Sequence, residues 1–224
     1  MCGILFVEQE SNGLISMRKF EESLNLQSWR GPDAQHTWSS DAGRFLMGHN
    51  RLSIIDPLTR SDQPMMSSNG RYKIIFNGEI YNHKNLREQL PINFRTSSDT
   101  ETILEGYSLI GEKIFHLIDG MFAIVILDLE NSSWVAARDA FGIKPLFISR
   151  IKNAGVAIGS EAAVVAKLLN ASVSWQSVEE WRRIEVALEN GLLEIGMQRR
   201  FPAGQESGSE QHPVGAEHYC RRQS

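Results

Sequence analysis

A run of almost wholly apolar residues, Met121–Leu129, constrains the fold more than any other feature of the sequence. A strand of this kind is usually buried on both faces. The run is followed by Glu130-Asn131-Ser132, which is a turn signal, and then by the apolar residues Trp134–Ala137. We therefore expect a β-hairpin at the centre of a covered sheet.

Further short apolar runs predict strands elsewhere, at Gly3–Val7, Arg44–Met47, Tyr72–Phe76, Trp134–Arg138, Pro145–Ile148 and Val156–Gly159. Helical patterns lie at Asn82–Leu90, Glu101–Leu109, Ser160–Leu169 and Trp175–Asn190. Strands and helices do not alternate one by one, as they would in a Rossmann sheet. The order favours a layered α+β sandwich.

The length of 224 residues suits one large domain, or one domain with an appendage. We expect a domain over residues 1–170 and a helical connector over 171–201. Residues 202–224 are rich in Gly, Ser, Gln, Glu and Pro, which predicts a disordered tail.

Charge and cysteine content narrow the function classes. A net charge of −4 and a pI of about 5.9 give no reason to expect nucleic acid or an anionic membrane as partner. Neither a membrane-spanning run nor a secretory signal is evident. Two cysteines at opposite ends, Cys2 and Cys220, exclude a disulfide framework and fit a reducing cytoplasm. The six histidines are scattered without metal-site spacing, so we expect no metal.

Cys2 is the first candidate for chemistry. Removal of Met1 would leave a thiol and a free α-amino group on one residue. An α-amine has a pKa near 7.7–8.0, so it can act as the base for the thiol. The alternative is a small buried residue at the start of a strand, and the first two residues alone favour that alternative.

Five further positions could complete a site around such a thiol. Asn77 and Gly78 follow an apolar strand, where a side-chain amide and a backbone N–H could stabilise an oxyanion. Arg51 could bind a substrate carboxylate, while Glu79 and Asp99 could bind an ammonium group. Each has an ordinary alternative: a tight Asn-Gly turn, a surface arginine, and a helix cap at Asp99.

Two loops remain. Arg30-Gly31-Pro32-Asp33 reads as a turn or as a lid over the nucleophile. The segment from Asp139 to Pro145 reads as a structured turn between strands, without a part in the chemistry.

Together the motifs resemble a class II glutamine amidotransferase domain, and most closely the N-terminal half of glutamine-hydrolysing asparagine synthetases. The resemblance rests on ordered blocks that extend to about Leu169. They are Met1–Ile4, Arg30–Asp33, His49–Asp56, Phe76–Asn82, Ser98–Glu101, Asp119–Ala123, Arg138–Leu146 and Ser160-Glu161.

The resemblance implies a four-layer αββα sandwich of the N-terminal-nucleophile hydrolase type. It implies that Cys2 attacks the amide of L-glutamine and that Asn77 and Gly78 form the oxyanion hole. Glutamate and ammonia would be released through a thioester. Arg51 would hold the α-carboxylate and Glu79 and Asp99 the ammonium end, and the backbone of a short loop would assist Arg51. That loop comprises Leu52, Ser53, Ile54 and Ile55.

The departure from the family lies after this domain. Asparagine synthetases continue into an ATP-using domain that opens with a Ser-Gly-Gly-x-Asp-Ser loop, and that loop is not in this sequence. ATP and Mg²⁺ would belong to that second half, so this chain needs no cofactor. We expect a glutaminase, with a separate synthetase domain or subunit as a possible partner. A non-catalytic glutamine-binding or docking module is the alternative. The amidotransferase half of a phosphosugar or phosphoribosyl enzyme would share the chemistry.

Overall fold

A computed structural model describes residues 1–10, 13–56, 58–151 and 155–170, together with two short strands at 194–195 and 218–222. The strands are β1 Gly3–Gln9, β2 Ala34–Ser39, β3 Phe45–Arg51, β4 Met65–Met66, β5 Tyr72–Ile80, β6 Gly120–Asp128, β7 Ser133–Arg138, β8 Phe147–Ile151, β9 Gly155–Gly159, β10 Glu194–Ile195 and β11 His218–Arg222. The α-helices are α1 Met17–Asn25, α2 His83–Gln89, α3 Asp99–Ile110 and α4 Ala162–Leu168. Short 3₁₀ helices lie at Ser28–Arg30, Thr59–Ser61 and Gly111–His116.

The strands form two antiparallel sheets. The first has the order β10-β8-β9-β1-β3-β2, and the second has the order β11-β7-β6-β5-β4. The predicted hairpin is confirmed, because β6 pairs with β7 from Ala123 opposite Arg138 to Asp128 opposite Ser133. The carboxylate of Asp128 accepts backbone N–H groups of the turn that joins the two strands.

Three apolar clusters show how the layers stack. One cluster lies between the sheets and includes Ile4 and Phe6 of β1 and Ile75 of β5. Alternate residues of β1, Leu5 and Val7, face the opposite way and pack with α1 and α4. The outer face of the second sheet packs against α3 in the third cluster. The order is therefore helices, sheet, sheet, helices, which confirms the predicted α+β sandwich.

Several elements differ from the sequence prediction. Helix α1, strand β2 and the short strand β4 were not predicted. Strand β5 runs four residues beyond the predicted end at Phe76, because β6 continues to pair with it as far as Ile80 opposite Gly120. Asn77 and Gly78 thus lie inside a strand, and the alternative of a tight turn there is wrong.

The C-terminal expectations meet the structure only in part. Within the tail expected to be disordered, His218–Arg222 forms β11 and pairs with β7 from Arg138 to Trp134. The remaining residues of the expected tail lie outside the described residues, so its disorder stays a prediction. The helix predicted at Trp175–Asn190 lies outside the described residues. Among those residues no helix is long and apolar enough to cross a membrane.

Candidate active site

A polar pocket lies at one end of the layer between the sheets. Strand β1 begins where β3 ends, with Gly3 opposite Asn50. Cys2 has the same parity along the chain as Ile4, and Asn77 has the same parity as Ile75, so both face the space between the sheets. The pocket has a volume of about 190 Å³. It is lined by Met1, Cys2, His49, Arg51, Leu52, Ile54, Ile55, Ser61, Gln63, Phe76, Asn77, Gly78, Glu79, Ser98, Asp99, Thr100, Met121 and Lys144.

The thiol of Cys2 is held against the loop that follows β3. Its Sγ lies 3.4 Å from the backbone nitrogen of Leu52 and 3.8 Å from the Leu52 carbonyl oxygen. Burial raises the pKa of the thiol, although the Leu52 N–H and the positive charges of the N-terminus and Arg51 oppose that effect. The thiol is therefore protonated at neutral pH, and a reaction at Sγ requires a base.

Arg30 fixes the backbone of Cys2. Its Nε donates to the Cys2 carbonyl oxygen at 2.9 Å, and its guanidinium pairs with Glu161 at the start of α4. Arg30 is buried. In the same loop Asp33 accepts the Ser53 N–H at 2.7 Å. The loop interpreted as a turn or a lid therefore holds the backbone of Cys2 and of Ser53, and none of its four residues is among those that line the pocket.

A glycine is required at position 31 of this loop because the backbone of β3 approaches it closely. A Cβ at Gly31 would lie 2.3 Å from the carbonyl oxygen of Asn50, which no side chain tolerates. The same holds in β5, where a Cβ at Gly78 would lie 2.3 Å from the carbonyl oxygen of Met121 and 2.8 Å from the Cα of Phe122. Both glycines thus let two backbone segments meet at the pocket.

Asn77 brings a buried hydrogen-bond donor to the pocket. The residue is 1% exposed. Its Nδ2 has no hydrogen-bond partner among the described residues, although nearly all buried polar groups in proteins have one. An unpaired buried donor in the same pocket as a thiol is suited to bind an oxygen atom of a ligand.

The backbone N–H of Gly78 points away from β6. Gly78 lies opposite Phe122 in the ladder. The Phe122 N–H donates to Asp139 at 3.2 Å, and the Phe122 carbonyl accepts the Asp139 N–H at 2.9 Å. Because a residue of an antiparallel strand turns both backbone groups to the same side, Gly78 and Phe122 form a non-hydrogen-bonded pair.

The N–H groups of Phe76 and Ile80, two residues before and after Gly78, lie on the same edge of β5 and donate to side chains. The Phe76 N–H donates to Oε1 of Gln63 at 2.6 Å, and the Ile80 N–H donates to Oδ2 of Asp99 at 3.1 Å. Strand β4 pairs only with the opposite end of β5. The Gly78 N–H lies between these two donors on the side that borders the pocket.

Arg51 and the following loop form the wall next to the thiol. Arg51 is 5% exposed, and its guanidinium bonds to the carbonyl oxygens of Leu58 and Asp56 and to the carboxylate of Asp62. Leu52, Ile54 and Ile55 line the pocket. Ser53 does not, and the N–H groups of Ser53 and Ile54 bond to Asp33 and to the Leu52 carbonyl.

The acidic side of the pocket comes from Asp99 and Glu79. Ser98 is the N-cap of α3, and its Oγ accepts the Thr100 N–H at 3.1 Å. Asp99 is therefore the first helical residue, and it is 4% exposed. Burial and the nearby charge of Glu79 raise the pKa of Asp99 to about 6, against the hydrogen bonds from the Ile80 and Thr100 N–H groups.

The pocket thus combines opposite charges on either side of a thiol. The cationic side chains Arg51 and Lys144 line the pocket together with the acidic side chains Asp99 and Glu79. A zwitterion, with its carboxylate and ammonium groups on one carbon, fits this distribution. Within the described ranges no group of His, Cys, Asp and Glu side chains could hold a metal ion.

Comparison with known proteins decides the family. The model of the family described as "Glutamine amidotransferase domain" matches residues 1–219. The chain belongs to the glutamine amidotransferase domain family. That match extends past residue 170, where the sequence alone placed the end of the domain.

Curated relatives of this amidotransferase domain are asparagine synthetases. The chain is 43% identical over 166 residues to the asparagine synthetase [glutamine-hydrolyzing] of Sandersonia aurantiaca, covering 72% of this chain and 30% of that protein. It is 44% identical over 153 residues to asparagine synthetase [glutamine-hydrolyzing] 2 of Arabidopsis thaliana, covering 66% and 25%. The chain thus spans less than a third of the length of these relatives.

Solved structures agree on the fold of the amidotransferase domain. One is an allosteric regulatory enzyme of purine biosynthesis, with a TM-score of 0.65 at 20% identity over 76% of this chain and 44% of that one. The other is a glutamine phosphoribosylpyrophosphate amidotransferase from B. subtilis, with a TM-score of 0.62 at 21% identity and the same coverage. The fold is that of the N-terminal-nucleophile hydrolases, as the resemblance implied.

The amidotransferase pocket also contains residues to which sequence reasoning gave no role. His49 is fully buried, and its Nε2 lies 3.2 Å from the Phe76 carbonyl oxygen on the other sheet. Gln63 links Phe76 to Thr100. Lys144 was expected to be only structural, yet it is buried and lines the pocket. His49 continues the alternation of the buried residues Phe45 and Met47 in β3. This alternation could have indicated that His49 faces the space between the sheets.

Proposed function

We propose that this domain hydrolyses L-glutamine to L-glutamate and ammonia through a thioester on Cys2. The observation that carries the proposal is the buried Nδ2 of Asn77, which has no partner among the described residues and lies in the same pocket as the Cys2 thiol. An unpaired buried donor costs folding free energy, and a ligand oxygen would recover it.

Cys2 acts as both nucleophile and base after Met1 is removed. Its α-amine takes the thiol proton, and Sγ forms a bond to the side-chain amide carbon of glutamine. Asn77 Nδ2 and the Gly78 N–H stabilise the oxygen that becomes negative. The C–N bond then breaks, the α-ammonium returns its proton to the leaving nitrogen, and ammonia departs.

Water completes the cycle. The α-amine removes a proton from the water molecule that attacks the thioester carbon, and the same oxyanion donors serve the second tetrahedral intermediate. The C–S bond breaks, the thiolate regains a proton, and glutamate is released. No cofactor is required in these steps.

Recognition of the amino-acid end follows the charges of the pocket. Arg51 binds the α-carboxylate of glutamine, with the loop of Leu52, Ile54 and Ile55 enclosing it. Asp99 and Glu79 bind the α-ammonium group. This arrangement selects the α-amino acid over simple amides, because a neutral amide leaves both charged walls without a partner.

The ammonia acceptor belongs to a partner in this proposal. Large apolar side chains are exposed at Ile54, which lines the pocket, and at Phe141 and Ile143, in the segment before the pocket residue Lys144, with exposures of 75%, 88% and 56%. Exposed apolar groups of this size mark an interaction surface. The curated relatives are named asparagine synthetases, so we place an ATP- and Mg²⁺-using synthetase domain on this surface, in the cytoplasm, with amide transfer to aspartate.

The test is glutamate release from L-glutamine by the Met1-free protein, with Cys2→Ala as the inactive control. Brief exposure to 6-diazo-5-oxo-norleucine, followed by intact-mass and peptide analysis, should give one adduct on Cys2 that excess glutamine prevents. Glutamine binding without hydrolysis or adduct would indicate the non-catalytic module instead. Release that persists in Cys2→Ala would remove Cys2 from the mechanism.

A further inference from the structure

The guanidinium of Arg51 is enclosed by the loop that follows β3. Nη1 donates to the Leu58 carbonyl oxygen at 2.9 Å, and Nη2 donates to the Asp56 carbonyl oxygen. Nη1 also forms an ion pair with Oδ1 of Asp62. The Arg51 side chain is 6% exposed and the Asp62 side chain 18% exposed, so water screens this pair only weakly.

Asp62 is shared between two partners, Arg51 and His36. Its Oδ2 lies 3.0 Å from Nε2 of His36, whose side chain is 48% exposed on β2. The other acidic group of this loop, the carboxylate of Asp56, is turned away from Arg51. It accepts the N–H and Oγ–H of Ser97 at 2.8 Å and 3.0 Å and pairs with Arg60.

Asp62 therefore pairs with the guanidinium to which we assign the substrate carboxylate. We propose that Asp62 is a specificity-determining residue, which lowers the affinity of Arg51 for the α-carboxylate of the substrate while it stabilises the empty site. The inference rests on the proposed function. A carboxylate that enters has to share Arg51 with Asp62, and two carboxylates near one guanidinium repel each other.

Removal of the Asp62 charge separates this role from a purely structural one. The carbonyl oxygens of Leu58 and Asp56 still place the guanidinium in Asp62→Asn and Asp62→Ala. Arg51 then loses its ion-pair partner, because the carboxylate of Asp56 pairs with Arg60. Ligands with an α-carboxylate should bind more tightly, and ligands without one should be unaffected.

Calorimetric binding in a Cys2→Ala background tests this independently of turnover. Both Asp62 variants should lower the Kd for L-glutamine roughly three- to thirtyfold. The Kd for L-glutaminamide, which carries a neutral amide in place of the α-carboxylate, should not change. Without ligand, both variants should melt at a lower temperature than the parent, and glutamine should raise their Tm more.

Asp128→Asn is the matched control. Asp128 also pairs with an arginine, Arg71, at 2.7 Å, but at the opposite end of β5 from the pocket. This variant should leave both Kd values unchanged. Equal or weaker glutamine binding in the Asp62 variants, or the same change for glutamine and glutaminamide, would overturn the role of Asp62. Absence of hydrolysis by the Cys2 protein, with this binding pattern intact, would overturn only the catalytic proposal.

Discussion

Nε2 of His49 lies 3.2 Å from the carbonyl oxygen of Phe76, and this contact joins the two sheets at the pocket. The imidazole is fully buried, and its Nδ1 has no partner among the described residues. Because the carbonyl only accepts, Nε2 carries the proton in the neutral ring. Phe76 directly precedes Asn77, so His49 supports the strand that carries the proposed oxyanion donors.

The burial of His49 predicts an acid-sensitive fold. Desolvation lowers the pKa of His49 to about 3, against the hydrogen bond to the Phe76 carbonyl. The unfolded chain has an ordinary histidine with a pKa near 6.5 and so binds the proton first as pH falls. Stability from this group is complete above pH 6.5 and decreases toward pH 3. Between pH 6.5 and pH 4.5 the loss should be about 3 kcal/mol.

Urea unfolding at several pH values measures this loss. His49→Gln keeps an amide donor near the Phe76 carbonyl but cannot titrate, so its free energy of unfolding should lack this pH-dependent component. His116→Gln, at an exposed histidine, is the control and should follow the parent. Parallel pH profiles for the parent and His49→Gln would show that His49 is not the group responsible.

Asn77→Ala tests the proposed oxyanion hole. Loss of one such donor reduces kcat by about 10²–10³, while KM for glutamine should change little because the donor acts mainly on the transition state. Asn82→Ala is the matched control. It removes hydrogen bonds to the Leu117 carbonyl and from the Asp119 N–H, so it should lower stability by about 1 kcal/mol and leave kcat intact. Similar kcat losses in both variants would indicate general damage to the fold.

The sequence predicted most of the sandwich, since buried strands leave apolar runs that can be read directly. The sequence did not predict elements whose structure depends on contacts with distant parts of the chain. Strand β2 has a polar sequence and a partly exposed surface, and only its pairing with β3 makes it a strand. Helix α1 is short. The i, i+4 spacing of the buried residues Phe20 and Leu24 and the N-cap residue Ser16 are its helix signals in the sequence.

The roles that the motifs assign to the site residues stay predictions, but the structure does place most of these residues in one pocket. Every site residue named from the motifs lines it except Ser53. The motifs could not reveal the pairing of Arg51 with Asp62, or the contact of His49 with Phe76, because each depends on how separate segments meet. Those contacts set the charge and the protonation of the site, and they required the fold.

Asp99 provides a prediction for the pH dependence of substrate binding. Its pKa is raised to about 6, by burial first and by the charge of Glu79. The unfolded value is near 3.9, so the folded state binds this proton more tightly. As pH rises from about 4 to 6, ionisation of Asp99 costs roughly 3 kcal/mol of stability, and the cost stays constant above pH 6. A bound ammonium group would offset it.

Glutamine should therefore bind best above pH 6 and lose up to about tenfold in affinity per pH unit below it. Calorimetry in the Cys2→Ala background from pH 5 to 8 excludes titration of the thiol, and between pH 5 and 6 complex formation should release protons to the buffer. Asp99→Asn should bind weakly at every pH, without proton release. A flat profile in the parent would mean that the ammonium end of the substrate is held by Glu79 alone.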